Sequence, residues 1–171
     1  MRILYSDRSG LKEMIECLNG GIMLEVGSYI GESTEVFAKS GKFSKIYCLD
    51  FWTGGYDPVD LASNSMENAE QEFDKLLNLY PNIFKIKSDS VNIPTLFEDA
   101  FFDFIYIDAN HLYDYVKRDL INSIPKLKNS RYIGGHDYND SNHPGPKLAV
   151  DELFNYPDKI FQDKSWLKFI A

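Results

Sequence analysis

LEVGSYIGEST, residues 24–34, joins an apolar strand to a helix through a glycine-bearing turn. Ile22 to Val26 is a short apolar run with the length of a buried strand. Gly31 to Ser40 has helical spacing, with Val36 and Phe37 inward and Gly41 closing the segment. A glycine at such a turn lets a ligand approach the backbone with no Cβ in the way. The dinucleotide fingerprint G-x-G-x-x-G would need glycines where Tyr29 and Glu32 stand. Glu32 also brings negative charge to the place a pyrophosphate would occupy. The turn therefore disfavours a nicotinamide-dependent dehydrogenase and favours a ligand without phosphates.

Working outward from this turn, strand-like and helix-like segments alternate along nearly the whole chain. Ser9 is a plausible N-cap for a helix carrying Leu11, Met14, Ile15 and Leu18, stopped by Gly20-Gly21. Further strands are expected at Ile46 to Phe51, Ile83 to Lys87, Phe102 to Ile107 and around Tyr132-Ile133. Met66, Ala69, Phe73, Leu76 and Leu77 share one helical stripe, as do Tyr113, Val116, Leu120 and Ile124. Short helices are expected over Pro94 to Asp99 and Pro146 to Phe154, and a hairpin over Lys159 to Ala171. Near-continuous apolar strands separated by helices imply a mostly parallel sheet covered on both faces. The expected architecture is a Rossmann-like, doubly wound α/β sheet of seven strands, with the C-terminal hairpin supplying an antiparallel strand. It forms a single domain over 1–171, with an N-terminal helix in 1–20 and the core in 21–171.

In such sheets ligands bind beyond the carboxyl ends of the strands, so the residues there are the candidates for chemistry. Glu25, Gly27 and Ser28 close strand one. Asp50 ends strand two, 23 positions after Gly27, a spacing that suits a carboxylate accepting from ribose hydroxyls. Asp89 and Ser90 follow strand three, either beside an adenine ring or as a solvated N-cap. Asp108, Asn110 and His111 follow strand four, and a buried polar trio there costs desolvation unless it has partners. His136 and Asp137 follow strand five. Asp108 and Asp137 come from adjacent strand ends and are placed to share a divalent ion, although Asp and His also make ordinary structural hydrogen bonds. The turn-rich segment from Trp52 to Ser65, with Trp52, Tyr56 and Asp57, is expected to border an acceptor pocket.

The formal charge of −8 sets general repulsion against nucleic acid or an anionic membrane. The basic residues Lys117, Arg118, Lys126, Lys128 and Arg131 read as a solvated face interrupted by Asp114 and Asp119. MRILYSDRSG at the start lacks an apolar h-region, and no apolar run nears the ~20 residues of a membrane span. The two cysteines, Cys17 and Cys48, make no disulfide framework, and Cys48 reads as a buried thiol. A cytoplasmic setting fits.

The ordered set formed by the E-x-G-x-x-x-G turn, the acidic end of strand two, SDS at 88–90, IDANHLYDYVKRDL at 107–120 and GGHDY at 134–138 resembles the class I S-adenosylmethionine-dependent methyltransferases. It is most similar to the small-molecule group of catechol, macrolide-sugar and aminocoumarin-sugar O-methyltransferases, from about Gly21 to the end. The resemblance implies that Glu25, Gly27 and Ser28 contact the methionine part of S-adenosylmethionine, Asp50 the ribose, and Asp89 with Ser90 the adenine. Gly31 and Phe51 complete the implied cofactor contacts. It implies Asp108 and Asp137 as ligands of Mg2+, joined by His136, and His111 as general base next to Asp108. Many relatives carry Asp-Asp or Asp-Asn where this chain has His136-Asp137, and imidazole is softer than magnesium prefers. The expected activity is divalent-metal-assisted methyl transfer to a small hydroxylated acceptor, a sugar or natural-product intermediate. A metal-independent N-methyltransferase and a non-catalytic cofactor-binding protein stay open as alternatives, as does a homodimer.

Overall fold

The computed structural model describes residues 8–55 and 65–171. Seven strands form one sheet: β1 (Gly21–Val26), β2 (Phe43–Asp50), β3 (Ile83–Lys87), β4 (Phe102–Ile107), β5 (Leu127–Gly135), β6 (Lys159–Ile160) and β7 (Trp166–Ile170). Their order is β3-β2-β1-β4-β5-β7-β6. The first five named pair in parallel, and β7 runs antiparallel to both β5 and β6. Among the described residues, six α-helices flank the sheet: α1 (Ser9–Glu16), α2 (Glu32–Lys39), α3 (Met66–Leu77), α4 (Ile93–Leu96), α5 (Tyr113–Ser123) and α6 (Gly145–Phe154). This is the seven-stranded, mostly parallel architecture the alternation implies. The strand order reverses between β1 and β4, which opens a crevice at their carboxyl ends.

Side chains alternate across each strand, so every strand feeds two cores. Met23, Phe104 and Tyr106 point to the face covered by α1, α2 and α3, where Leu11, Phe37 and Phe73 pack against them. Leu24, Val26 and Ile105 point to the other face, with Val116 and Leu120 of α5 and Val150 of α6. Cys48 is fully buried in the first of these cores.

Several boundaries differ from the sequence expectation. Helix α1 starts at Ser9, with Arg8 rather than Ser9 at the N-cap position. Helix α4 is a single turn, Ile93–Leu96, not a segment reaching Asp99. Strand β2 begins at Phe43 and ends at Asp50, leaving Phe51 outside the ladder. Strand β5 is nine residues long, far beyond the apolar Tyr132-Ile133 pair. Its polar start, Lys128 to Ser130, falls in a bulge: pairing with β4 runs from Phe102–Leu127 directly to Phe104–Tyr132, and Ser130 has φ 56°.

The basic residues from Lys117 to Arg131 do not form one helix face. Lys117 pairs with Glu152, Arg118 with Asp119, Lys126 with Asp99, and Lys128 and Arg131 both with Asp103. Among the described residues, no helix is long and apolar enough to cross a membrane.

Candidate active site

The crevice at the carboxyl ends of β1 to β4 is a cleft with three polar regions, beginning at the β1–α2 turn. Gly27 has φ 89°, and a Cβ on it would stand 2.2 Å from the carbonyl oxygen of Asp108. Only glycine fits a turn that crosses the end of β4 so closely. The turn is held by Asp50. Its Oδ2 accepts from the backbone N–H of Ser28 at 2.9 Å and of Tyr29 at 2.8 Å, and its Oδ1 accepts from Trp52 N–H at 2.8 Å. Burial pushes the Asp50 carboxyl above its ordinary value, against the pull of these amides. Tyr29 (φ 48°) and Trp52 (φ 46°) both adopt left-handed backbone here, a conformation that costs a non-glycine residue about 1–2 kcal/mol. Asp50, Ser28, Gly27 and Phe51 all line the cleft.

Two residues expected at the cofactor do not line it. Alternation along β1 turns Glu25 onto the α2 face, where it is fully buried. Its oxygens accept from the hydroxyls of Ser28 (2.8 Å), Ser33 (2.6 Å) and Thr34. Burial raises its carboxyl, and the three hydroxyls oppose that rise. It stitches the turn to α2 from beneath. Gly31 faces α3 instead: a Cβ there would sit 2.3 Å from Leu76 Cδ1. Trp52 also departs from expectation. It packs against Phe73 at 5.0 Å between centroids and donates its indole N–H to Tyr29 O at 2.9 Å, so it belongs to the core and not to an acceptor pocket. Tyr56 and Asp57 lie outside the described residues.

The second region lies beyond β3. Asp89 caps the following turn by accepting from Val91 N–H at 2.9 Å. Ser90 donates to Asp119 Oδ1 at 2.7 Å and accepts from Arg118 Nη2 at 2.8 Å. Arg118 also reaches Asp119 at 3.2 Å and Asp89 at 3.5 Å, and it lies over the Tyr115 ring at 5.0 Å. Asp119 is buried, and burial pushes its carboxyl up to about 6 against the pull of Ser90 and Arg118. Sequence reading did not place Asp119 or Arg118 in the cleft. The available signal was that residue 119 lies on the inward stripe of α5 with Val116, Leu120 and Ser123, so an acid there has to find partners.

The third region lies beyond β4 and β5, where Asp108, His111, His136 and Asp137 come together. His111 Nε2 lies 3.0 Å from Asp137 Oδ2, and His136 Nδ1 lies 3.1 Å from Asp137 Oδ1. His136 Nδ1 is 3.9 Å from Asp108 Oδ1. Burial works to raise the Asp137 carboxyl, but the hydrogen bonds from His111 and His136 hold it well below the ordinary carboxylate range. Burial raises Asp108, opposed by His136. His136 is raised overall: Asp108 and Asp137 outweigh the effect of burial. Asp137 itself has φ 59°, and strained backbone of this kind concentrates at functional sites. Arg8 enters from the start of α1, with its guanidinium 3.8 Å from Asp108 and 3.5 Å from Glu32. Its Nε and Nη1 are buried with no hydrogen-bond partner among the described residues. No local motif marks Arg8; only the docking of α1 across the sheet brings it here.

These donors fit magnesium poorly. Magnesium takes near-octahedral oxygen ligands at about 2.0–2.1 Å. Both oxygens of Asp137 are already engaged by imidazoles, and Asp108 faces a guanidinium. The cleft fits a nucleoside with a cationic tail better. The backbone at Gly27 leaves room for close approach, Asp50 stands at the strand-two end, and Glu32, Arg8 and Asp108 line the wall with charges of both signs.

The family described as "Methyltransferase domain" matches residues 24–138. No curated protein matches the chain. Among solved structures, a Clostridium thermocellum protein described as an rRNA methylase aligns with TM-score 0.67 at 13% identity, covering 99% of each chain. A Staphylococcus aureus protein described as a caffeoyl-CoA O-methyltransferase aligns at 0.66 and 16%, covering 94% of this chain and 80% of its own. The O-methyltransferase NovP aligns at 0.65 and 18%, covering 96% and 77%. At such identities these likenesses establish the shared fold, and their acceptors differ among themselves.

Proposed function

The chain belongs to the methyltransferase domain family, and we propose that this S-adenosylmethionine-dependent methyltransferase methylates a hydroxyl of a small acceptor, with His111 taking the proton. The observation that carries this reading is that His111, which lines the cleft just beyond β4, is paired with Asp137 from beyond β5. When bound, S-adenosylmethionine supplies an electrophilic methyl group on a cationic sulfonium. The turn amides held by Asp50 fix the cradle at Gly27 and Ser28, and the carboxylate presents its outer lone pairs toward the ribose position. Asp89, Ser90 and Arg118 border the adenine position. Glu32 and Asp108, with Arg8 between them, border the position of the zwitterionic amino-acid tail and the sulfonium.

An alcohol attacks a methyl group well only as its proton leaves. With Nε2–H donated to Asp137, the lone pair of His111 sits on Nδ1, and the acceptor's proton arrives there. Asp137 holds the ring in that tautomer and stabilises the imidazolium, the role an orienting carboxylate plays beside a catalytic histidine. No step is assigned to magnesium, because the residues at the end of β4 and β5 suit it poorly. The charge of −8 favours small acceptors over polyanions.

The test is transfer of labelled methyl from S-adenosylmethionine to a panel of catechols, glycosides and primary amines, in the presence of a chelator. Label on hydroxylated acceptors, lost in His111→Ala while cofactor affinity is kept, supports the reading. Label on amines alone would overturn the hydroxyl assignment, and tight cofactor binding with no transfer to any acceptor would overturn catalysis.

A further inference from the structure

We propose that His111, Asp137 and His143 form a site for a borderline first-row divalent cation such as zinc or cobalt, and that occupancy of this site switches methyl transfer off. The second half rests on the reading of His111 as the base. Each of the three residues offers one ligand atom, and these atoms lie within 4.8 Å of one another. Tetrahedral zinc with ligands at about 2.0–2.1 Å spaces them about 3.4 Å apart, so small side-chain rotations close the site. The pair His111–Asp137 is already set at 3.0 Å. The His143 ring lies 4.3 Å from the His111 ring at 30°. Its Nδ1 is buried, makes no hydrogen bond among the described residues and lies 3.9 Å from Asp140 Oδ2, too far for that carboxylate to satisfy it.

The position of His143 is built into the fold. Gly145, two residues on, packs its backbone against the His111 loop: a Cβ on it would stand 2.1 Å from the His111 carbonyl oxygen. That contact seats the start of α6, and with it His143, beside His111. Two imidazoles and one carboxylate suit zinc, cobalt, nickel or iron and do not suit magnesium. The neighbouring trio Asp108, His136 and Asp137 is also compact, but Arg8 puts a positive charge 3.8 Å from Asp108 and disfavours a cation there. A cation bound to Nε2 of His111 moves the ring proton to Nδ1. The lone pair that would receive the acceptor's proton is then gone.

Titration of the full chain with cobalt chloride, followed by its visible absorption and by calorimetry, measures the site without any acceptor. One cobalt per chain is expected, displaced by zinc and not by millimolar magnesium. His143→Ala and His143→Gln, each checked for native circular dichroism, should each weaken cobalt binding at least about tenfold. Turnover measured with and without zinc, as a ratio within each variant, should fall in the wild-type chain and stay near one in both variants. Absence of cobalt binding, or equal binding in both variants, overturns the site. Binding that leaves turnover untouched overturns the switch and removes His111 as the base, while the site itself stands.

Discussion

The two ends of the cleft are polar in opposite ways. Beyond β3, one guanidinium, Arg118, is shared by Ser90, Asp119 and Asp89, so the charge there is held in a closed network of protein partners. Beyond β4 and β5, among the described residues, carboxylates outnumber the one guanidinium of Arg8, and two imidazoles crowd one carboxylate. An end whose charges are paired with one another suits a flat, uncharged ring that is recognised by hydrogen bonds. An end with surplus negative charge and imidazoles suits a cation and a moving proton. The division of labour along the cleft follows from which strand each acid terminates.

The largest expected effect falls at the reactive end. His111→Ala should lower turnover by about 10²–10⁴-fold with cofactor affinity unchanged by calorimetry. A loss below about tenfold would make the two ends more alike than proposed, with His111 as a positioning residue.

Asp50 stands between the two ends, and its effect should be mixed. Asp50→Ala strands three turn amides, which should cost about 3 kcal/mol of folding stability and weaken cofactor binding as well. Asp50→Asn keeps an acceptor oxygen and should recover part of both. Denaturant melts beside cofactor titrations separate the contributions; an intact melt with lost affinity would show that the carboxylate acts on the ribose alone.

At the end beyond β3, Asp119 gives a pH signature. Its carboxyl is pushed up to about 6 by burial, so the folded chain holds that proton more tightly than the unfolded one. Stability is therefore lost as pH rises from about 4 to about 6, by up to about 3 kcal/mol. Asp119→Asn, which can still accept from Ser90 and Arg118, should be more stable than wild type at pH 8 by about 2 kcal/mol and should flatten that window. A wild-type stability that rises across it would mean Arg118 dominates Asp119.

The smallest expected effect is that of magnesium removal. Excess chelator should change turnover less than about twofold, and it should raise it if the preparation carries zinc. A collapse of activity restored by magnesium would restore the ligand set implied by the resemblance.

The residues at the strand ends were the easier to read in sequence. In a parallel sheet the residue after each strand reaches one crevice whatever the distant packing does, so Asp50, Asp89 and Asp108 could be assigned from local pattern. Glu25 could not, because one step along a strand changes the face, and the hydroxyls of Ser28, Ser33 and Thr34 claim it. Trp52 was misread because its indole N–H finds a partner inside, on Tyr29 O. Arg8 and His143 were out of reach for another reason: neither follows a strand, and each arrives through the docking of a helix. The long β5 hides for a third reason, since a bulge inserts a polar stretch, Lys128 to Ser130, that no hydropathy pattern announces.

Gly27 sits so close to the Asp108 carbonyl that no side chain fits between them. The cofactor turn and the end of β4 are therefore in mechanical contact and fluctuate together. A ligand that quiets one should quiet the other, so slowed hydrogen exchange at Ser28 and Tyr29 should be accompanied by slowed exchange at Ala109 and Asn110, on the same timescale.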